Sequence, residues 1–204
     1  MAAETLPLPV FTPADPDDKN VERFRRRVNE TRGLHLKDYR DLQAYSVHPK
    51  TFQQFWQDVW DFTDIKASKR SDIVFLTPLR NKLTFQVITP NDGTWKMFPP
   101  PRFFPDARLN FAENVFERGP ANKLALVEAK EGGTDIKTVT YGELWDKTQE
   151  LASAMRNMGI QKGDRVAAII SNSINAFAIF LATLSIGAIF SSSACGSLHS
   201  MGNY

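Results

Sequence analysis

Two short runs of small polar residues are the parts of this sequence best suited to contact a ligand. They are Ser171-Asn172-Ser173 and Ser191-Ser192-Ser193, and each follows an apolar stretch typical of a buried strand. Open parallel sheets bind ligands at the carboxyl ends of their strands, where small residues offer hydroxyls and backbone N–H groups. Serine and asparagine also cap helices at such points. Capping is the preferred interpretation for residues 171–173, whereas both interpretations stay open for residues 191–193.

Other catalytic patterns are missing from the sequence. None of the motifs GxxxxGK[ST], GxGxxG, CxxC, HExxH and GxSxG occurs. The histidines His35, His48 and His199 lie in unrelated segments, and Cys195 has no base near it in sequence. His48 stands near the start of a predicted helix, so we interpret it as a cap or a surface residue. We therefore assign no catalytic residue and no metal ligand from the sequence.

Charge and cysteine content narrow the classes of partner. The 204 residues include 25 basic and 23 acidic side chains, and this near balance gives no electrostatic reason to expect nucleic acid or a membrane surface. A single cysteine excludes an intramolecular disulfide and favours a reducing compartment. The first residues lack the basic and apolar regions of a secretory signal. These features predict a cytoplasmic location.

The longest apolar stretch, residues 174–190, has about the length of the shortest membrane spans, which need roughly 17–25 apolar residues. Ser171, Asn172 and Ser173 crowd its start, and Thr183 and Gly187 interrupt its end. We expect a buried helix that runs into a buried strand, and no membrane span.

The first half of the chain is predicted to be mainly helical. Four prolines make residues 1–16 extended, and a helix with inner positions Val21, Phe24 and Val28 completes an arm over residues 1–34. Its basic run, residues 23–27, is interpreted as a solvated helix face rather than a polyanion site. A helical subdomain over residues 35–100 follows, with one helix from near Asp38 and another whose first turn holds Pro49. An aromatic stripe on the latter is interpreted as packing rather than as a ligand groove; it comprises Phe52, Phe55, Trp56, Val59, Trp60 and Phe62.

The second half is predicted to alternate strands and helices. After one strand at 83–89, a turn at 91–93 and an extended arm at 99–101, we expect a short helix at 108–116 with Leu109 on its inner side. The sequence then indicates a hairpin, strands 124–127 and 136–140 joined by a glycine turn. A capping box of Thr140 and Glu143 opens the next helix. Strand 165–170, helix 174–186 and a strand from 188 predict a right-handed βαβ unit, its first strand covered on both faces. The fold class is α/β: an N-terminal helical cap followed by a partly parallel sheet.

The motifs of this half resemble those of a known family. The run FFPDARLNFAEN (residues 103–114) and the pattern TYGEL, GDRV and LATLSIGA (residues 140–188) are similar to the opening of acyl-CoA synthetases of the adenylate-forming superfamily. Within that family they most resemble acetoacetyl-CoA synthetases; acetyl- and propionyl-CoA synthetases are the alternatives. The resemblance covers about residues 35–193 and implies that residues 101–193 are the start of the AMP-binding domain, with a truncated sheet.

The resemblance implies an acetoacetate–CoA ligase that uses ATP, Mg²⁺ and coenzyme A in its full-length form. This chain lacks the Ser/Thr/Gly-rich nucleotide loop and the lysine of that family, so we expect it to be inactive alone and to hold none of these cofactors. Ser191 and Ser192 match the family position beside the coenzyme A thiol, and residues 194–204 depart from the family as an aberrant tail. The alternative is a non-catalytic short isoform that acts as a docking module, and an exposed sheet edge could mediate association.

Overall fold

The structure, a computed structural model, describes residues 14–15, 17–78, 85–87, 102–130, 132–133 and 135–193. The chain divides into two compact units, residues 1–65 with 69–107, and residues 66–68 with 108–204. The predicted boundaries after residues 34 and 100 stay predictions, and the tail 194–204 lies outside the described residues, as do the turn at 91–93 and the prolines at 99–101.

The first unit combines three helices with a small antiparallel sheet. The sheet has the strand order β2-β1-β3. The predicted strand at 83–89 is confirmed at its centre, and its ends lie outside the described residues. The elements are α1 (Asn20–Arg32), α2 (Tyr39–Val47), α3 (Phe52–Phe62), β1 (Phe75–Pro78), β2 (Phe85–Val87) and β3 (Arg102–Phe103).

The helical core of the first unit agrees with the predicted faces except at one position. Phe24 and Val28 of α1 pack with Leu42 and Tyr45 of α2. Val21, predicted to be an inner residue, is 52% exposed. Because Val21 lies in the first turn of α1, the other helices do not cover it as they cover Phe24 one turn later. The third helix begins at Phe52, after Pro49 rather than around it.

The aromatic stripe of α3 packs against both parts of this unit, which confirms the packing interpretation. Phe55 and Phe62 meet the ring of Phe24 edge-on, with centroids 5.6 and 5.2 Å apart. The ring of Phe52 packs against that of Phe75 in β1, with centroids 5.0 Å apart. Edge-to-face and tilted arrangements of this kind add to the stabilisation that burial of the rings already gives.

A buried polar network joins the three helices. The carboxylate of Asp58 accepts hydrogen bonds from the Arg32 guanidinium, at 2.7 and 2.9 Å, and from the Tyr45 hydroxyl, at 2.9 Å. Burial, followed by the bond to Asp58, raises the pKa of Tyr45, and the same carboxylate raises the pKa of Arg32. Each charge in this network has a partner, which is the condition under which a charged group can be buried without a large cost.

The second unit contains the predicted hairpin and βαβ unit. Strands β4 and β5 are antiparallel, and β6 and β7 are parallel. The elements are α4 (Phe111–Phe116), β4 (Leu124–Ala129), β5 (Ile136–Thr140), α5 (Tyr141–Asn157), β6 (Arg165–Ile169), α6 (Ile174–Ser185) and β7 (Ile189–Ser193). The apolar run 174–190 therefore folds as a helix and a strand. In the part of the chain that the structure describes, no helix is long and apolar enough to cross a membrane.

Local signals set the ends of these elements as predicted. Thr140 and Glu143 form the capping box of α5, with the Glu143 carboxylate 2.7 Å from the Thr140 amide nitrogen. Gly159 and Gly187 follow α5 and α6 with φ of 88° and 77°, which a side chain would disfavour. The predicted glycine turn of the hairpin holds Gly132 and Gly133, also at positive φ.

Helices α5 and α6 pack through small and apolar residues. Thr148, Ala152, Ala178, Ala182 and Thr183 are fully buried. The Thr183 hydroxyl donates to the Ile179 carbonyl at 2.8 Å, whereas the Thr148 hydroxyl is buried without a hydrogen-bond partner.

Two predicted burial assignments in this unit are wrong. Leu109 precedes α4 and is 49% exposed, because the helix begins only at Phe111 and the side chain is not on its packed face. Strand β6 was expected to be covered on both faces, yet its residues alternate in exposure, and Ile169 on β6 and Ile189 on β7 are 60% and 53% exposed. Helix α6 packs on one face of this strand pair, where the rings of Phe180 and Phe190 lie 5.4 Å apart between centroids.

Candidate functional site

The two serines predicted near a ligand lie inside a strand and not after it. Ser191 and Ser192 belong to β7 and pair with Ala167 and Ala168 of β6 in the parallel register. The register extends to Ser193 because β6 offers five consecutive partners. Both serines are exposed. Their backbone groups therefore form the ladder, and their side chains remain available at the carboxyl end of the strand pair.

The turn that follows β6 closes against the end of β7. The Ile170 amide donates to the Ser193 carbonyl at 3.2 Å. Ser173 then caps α6, since its hydroxyl accepts a hydrogen bond from the Ala176 amide at 3.2 Å. The capping interpretation is confirmed for Ser173. Ser171 and Asn172 are exposed beside it, so the structure brings the two predicted polar runs together at one edge.

Glu128 is a member of this edge that the sequence did not reveal. Its carboxylate accepts a hydrogen bond from the Ile174 amide, the first of α6, at 2.7 Å. Charge-assisted bonds of this kind are roughly twice as strong as neutral ones, and a negative charge is favourable at a helix N-terminus. The two groups are separated by 46 residues. No local spacing could have indicated this pair; a single glutamate in the apolar run of β4 was the available signal.

The asparagines of the motif at residues 103–114 have structural roles. The Asn110 side-chain oxygen accepts from the amides of Ala112 and Glu113, which caps α4. Its nitrogen donates to the carbonyls of Leu184 and Ser185 at the end of α6, both at 3.2 Å. Asn110 thus uses both ends of its amide to join two helices.

Asn114 makes a second link of the same kind. Its oxygen accepts from the Lys66 amide at 2.8 Å, and its nitrogen donates to the carbonyls of Lys66 and Asn110. The motif therefore fixes the backbone of residues 66–68 to this unit. Both asparagines use the oxygen and the nitrogen of their side-chain amides in contacts within this unit, which makes the motif a packing signature.

A separate open cleft of about 690 Å³ lies between α4 and α5. Trp145 borders it with its ring edge-on to Phe116, at 4.9 Å between centroids. Glu117, which also borders it, is paired with Lys66 at 2.7 Å. Ser191 and Ser192 do not line this cleft. The cleft is therefore distinct from the strand-end edge.

The described residues do not fit a divalent cation. Among residues 14–193, apart from the stretches the structure leaves undescribed, no three histidine, cysteine, aspartate or glutamate side chains converge. The Glu128 carboxylate at the strand-end edge is already bonded to a backbone amide.

Comparison with known proteins gives this architecture a family context. Residues 111–192 match the family model of the AMP-binding enzymes. Acetoacetyl-CoA synthetase of Xenopus tropicalis is 38% identical over 179 residues, which are 86% of this chain and 24% of the relative. Malonamoyl-CoA synthetase of Penicillium aethiopicum is 33% identical over 180 residues, 86% of this chain and 22% of the relative.

A solved structure gives the same result. Acetoacetyl-CoA synthetase from Streptomyces lividans superposes with a TM-score of 0.69 at 25% identity, covering 88% of this chain and 25% of that one. The chain spans about a quarter of the length of the curated relatives it matches. The predicted resemblance and the fold class are confirmed. Over most of its length this chain is homologous to part of the acetoacetyl-CoA synthetases, and its residues 111–192 belong to the region that matches the AMP-binding enzymes.

Proposed function

We propose that the protein to which this sequence belongs is an acetoacetate–CoA ligase and that residues 20–193 are part of its scaffold. The observation that carries the proposal is the similarity to acetoacetyl-CoA synthetases along 86% of the chain. The hydrogen-bonded asparagines of the motif and the parallel strand pair are scaffold features of the kind this role requires.

The proposed reaction has two displacements. A carboxylate oxygen of the acid attacks the α-phosphorus of ATP, and pyrophosphate leaves. The coenzyme A thiolate then attacks the acyl carbon of the adenylate, and AMP leaves with the bonding electron pair. No residue described here carries either step. Ser191 and Ser192 are proposed to line the approach of the thiol, where small exposed hydroxyls on a strand end leave room for it.

The substrate class is proposed from the chemistry of two relatives. Acetoacetate and malonamate are both short acids with a carbonyl on the third carbon. That carbonyl carries a methyl group in acetoacetate and an amino group in malonamate. The names of the relatives refer to their CoA thioesters. We propose that the acid activated here is a short 3-oxo acid, with acetoacetate first. Acetate and propionate, the alternatives, lack that carbonyl.

The test is an assay of the protein in the longest form its gene encodes. Purified protein is given ATP, Mg²⁺, coenzyme A and one acid at a time from acetoacetate, malonamate, acetate and propionate, and AMP is quantified. The proposal expects the highest kcat/KM with acetoacetate. If kcat/KM is highest with acetate or propionate, that acid is the substrate instead of acetoacetate. If no acid gives AMP, the proposed ligase function is wrong. The 204-residue chain assayed in parallel is expected to be inactive.

A second candidate, association through the strand pair, has its own observation. Ile169 and Ile189 are large apolar residues exposed on one face of β6 and β7, and sheets with such faces and unpaired edges associate. The test is light scattering of the chain against the double variant Ile169→Lys, Ile189→Lys. Association that persists in the variant would exclude this face.

A cytoplasmic location is also proposed, and a fractionated cell extract probed with an antibody checks it.

A further inference from the structure

The turn between β6 and α6 is held from three sides. On one side the Ile170 amide bonds to the Ser193 carbonyl at 3.2 Å. On the second, Ser173 caps the helix through the Ala176 amide. On the third, the Glu128 carboxylate of β4 accepts a hydrogen bond from the Ile174 amide at 2.7 Å. Of these three contacts, the third comes from outside the βαβ unit, so Glu128 ties the turn to the hairpin.

The hairpin gives that contact a firm base. Glu128 lies opposite Lys137 in the antiparallel register, one residue before the end of β4 and within its ladder. The side chain of Glu128 is half-buried, and strand residues are more strongly fixed than loop residues because the ladder restrains their backbone. A half-buried carboxylate on such a strand has little freedom to leave the helix start without exposing the unpaired Ile174 amide.

We propose that Glu128 is a positioning residue for the strand-end edge, which it holds in the geometry that the coenzyme A thiol requires. The inference rests on the proposed function for the identity of the ligand, and on the hydrogen bonds above for the geometry. Glu128 touches no reacting atom. It fixes the start of α6, the start of α6 fixes residues 170–173, and Ile170 fixes the end of β7 that carries Ser191 and Ser192.

The chain supplies a matched control. The Glu143 carboxylate also accepts a hydrogen bond at a helix start, from the Thr140 amide at 2.7 Å, just before α5. That bond is local, within three residues, and belongs to the capping box. Glu143→Ala therefore removes the same kind of bond at a helix start without touching the turn after β6. Glu128→Gln is the conservative variant, because its amide oxygen can still accept the Ile174 N–H.

The first arm uses this chain and needs no activity. Hydrogen exchange is measured by NMR for the amides of residues 170–176 in the unmodified chain, Glu128→Ala, Glu128→Gln and Glu143→Ala. The proposal expects exchange of Ile170 and Ile174 to speed up by about tenfold or more in Glu128→Ala, as for a lost bond to a charged group. Glu143→Ala is expected to leave both amides within about threefold of the unmodified chain, and Glu128→Gln, which keeps a neutral and weaker bond, should fall between Glu143→Ala and Glu128→Ala. Unchanged exchange of Ile170 in Glu128→Ala would overturn the positioning role.

The second arm uses the longest form of the protein and separates the two proposals. With acetoacetate saturating, Glu128→Ala is expected to raise the KM for coenzyme A by about tenfold while the KM for ATP stays within about threefold, since a site misplaced by about 1 Å loses much of its efficiency. Equal effects of Glu128→Ala and Glu143→Ala on the KM for coenzyme A would contradict the proposal. An unmodified protein without ligase activity would refute the proposed function and with it the ligand named here, while the exchange arm would still decide whether Glu128 holds the edge.

Discussion

The two buried threonines between α5 and α6 allow a matched test of the packing in the second unit. Thr148 and Thr183 are both fully buried, but only the Thr183 hydroxyl has partners, the Ile179 carbonyl and the Met155 sulfur. Valine has nearly the same shape as threonine and the same stiffness at χ1 in a helix. Threonine to valine at each position therefore isolates the hydroxyl.

The magnitudes follow from hydrogen-bond energetics. A buried polar group without a partner costs about 1–3 kcal/mol, so we expect Thr148→Val to raise the free energy of unfolding by about 1 kcal/mol or more. Thr183→Val loses a hydrogen bond worth roughly 0.5–1.5 kcal/mol and should lower it. The free energies of unfolding of the two variants should therefore change in opposite directions and differ from each other by about 2 kcal/mol. Both variants nevertheless remove one oxygen atom from the same helix interface.

The assay is urea unfolding followed by circular dichroism, with the midpoint compared at equal slope. A change of 1 kcal/mol corresponds to roughly 2–4 °C in the melting temperature of a chain of this size, which a thermal scan resolves. A Thr148→Val midpoint that falls as far as that of Thr183→Val would refute the reasoning. It would mean that the Thr148 hydroxyl is satisfied in solution and that the interface differs from the one described.

Three further predictions concern the hydrogen-bonded residues. Asn110→Ala should lower the free energy of unfolding by about 2–4 kcal/mol in urea titration, because it removes a helix cap and two bonds to α6, and Asn110→Ser should recover part of the loss by keeping the cap; equal losses would show that the cap contributes nothing. Burial and Asp58 raise the pKa of Tyr45, so its contribution is complete below the unfolded pKa of about 10 and is lost as pH rises through the higher folded value. Stability measured from pH 9 to 11 should fall less steeply in Tyr45→Phe than in the unmodified chain, and parallel curves would contradict this. The Arg25 guanidinium bond lowers the pKa of Glu22 to about 2 from 4.5, so the contribution of Glu22 is present above pH 4.5 and is lost as pH falls toward 2; Glu22→Gln should flatten that acid limb in a pH-dependent melting series, and an unchanged limb would contradict it.

Features of the fold with a local cause were predictable from the sequence. The capping box of Thr140 and Glu143 and the glycines that follow α5 and α6 act within a few residues, so pattern and position suffice to place them. The parallel pairing of β6 and β7 was also predicted, because an apolar strand, helix and strand in this order have one favourable connection.

Features that depend on distant partners were not predictable in this way. Val21 and Leu109 fit the helical spacing but are about half exposed among the described residues, which periodicity cannot reveal. Ser191 and Ser192 were expected after the strand, and the register with β6 draws them into it. The bond of Glu128 to Ile174 joins residues far apart in sequence. The run of residues 103–114 was recognised as a family motif, yet the role of its asparagines as links within the second unit required the structure.

The central claim is that this segment can serve as part of an acetoacetyl-CoA synthetase, and a segment exchange tests it most directly. The aligned 179 residues of the Xenopus tropicalis enzyme are replaced by those of this chain, and acetoacetyl-CoA formation is measured in the purified hybrid, with the same exchange carrying Asn110→Ala as the control for a damaged scaffold. We expect a soluble hybrid that forms acetoacetyl-CoA from acetoacetate, ATP and coenzyme A, and a control that yields less folded protein. A hybrid that folds with a cooperative melting transition but makes no thioester would contradict it.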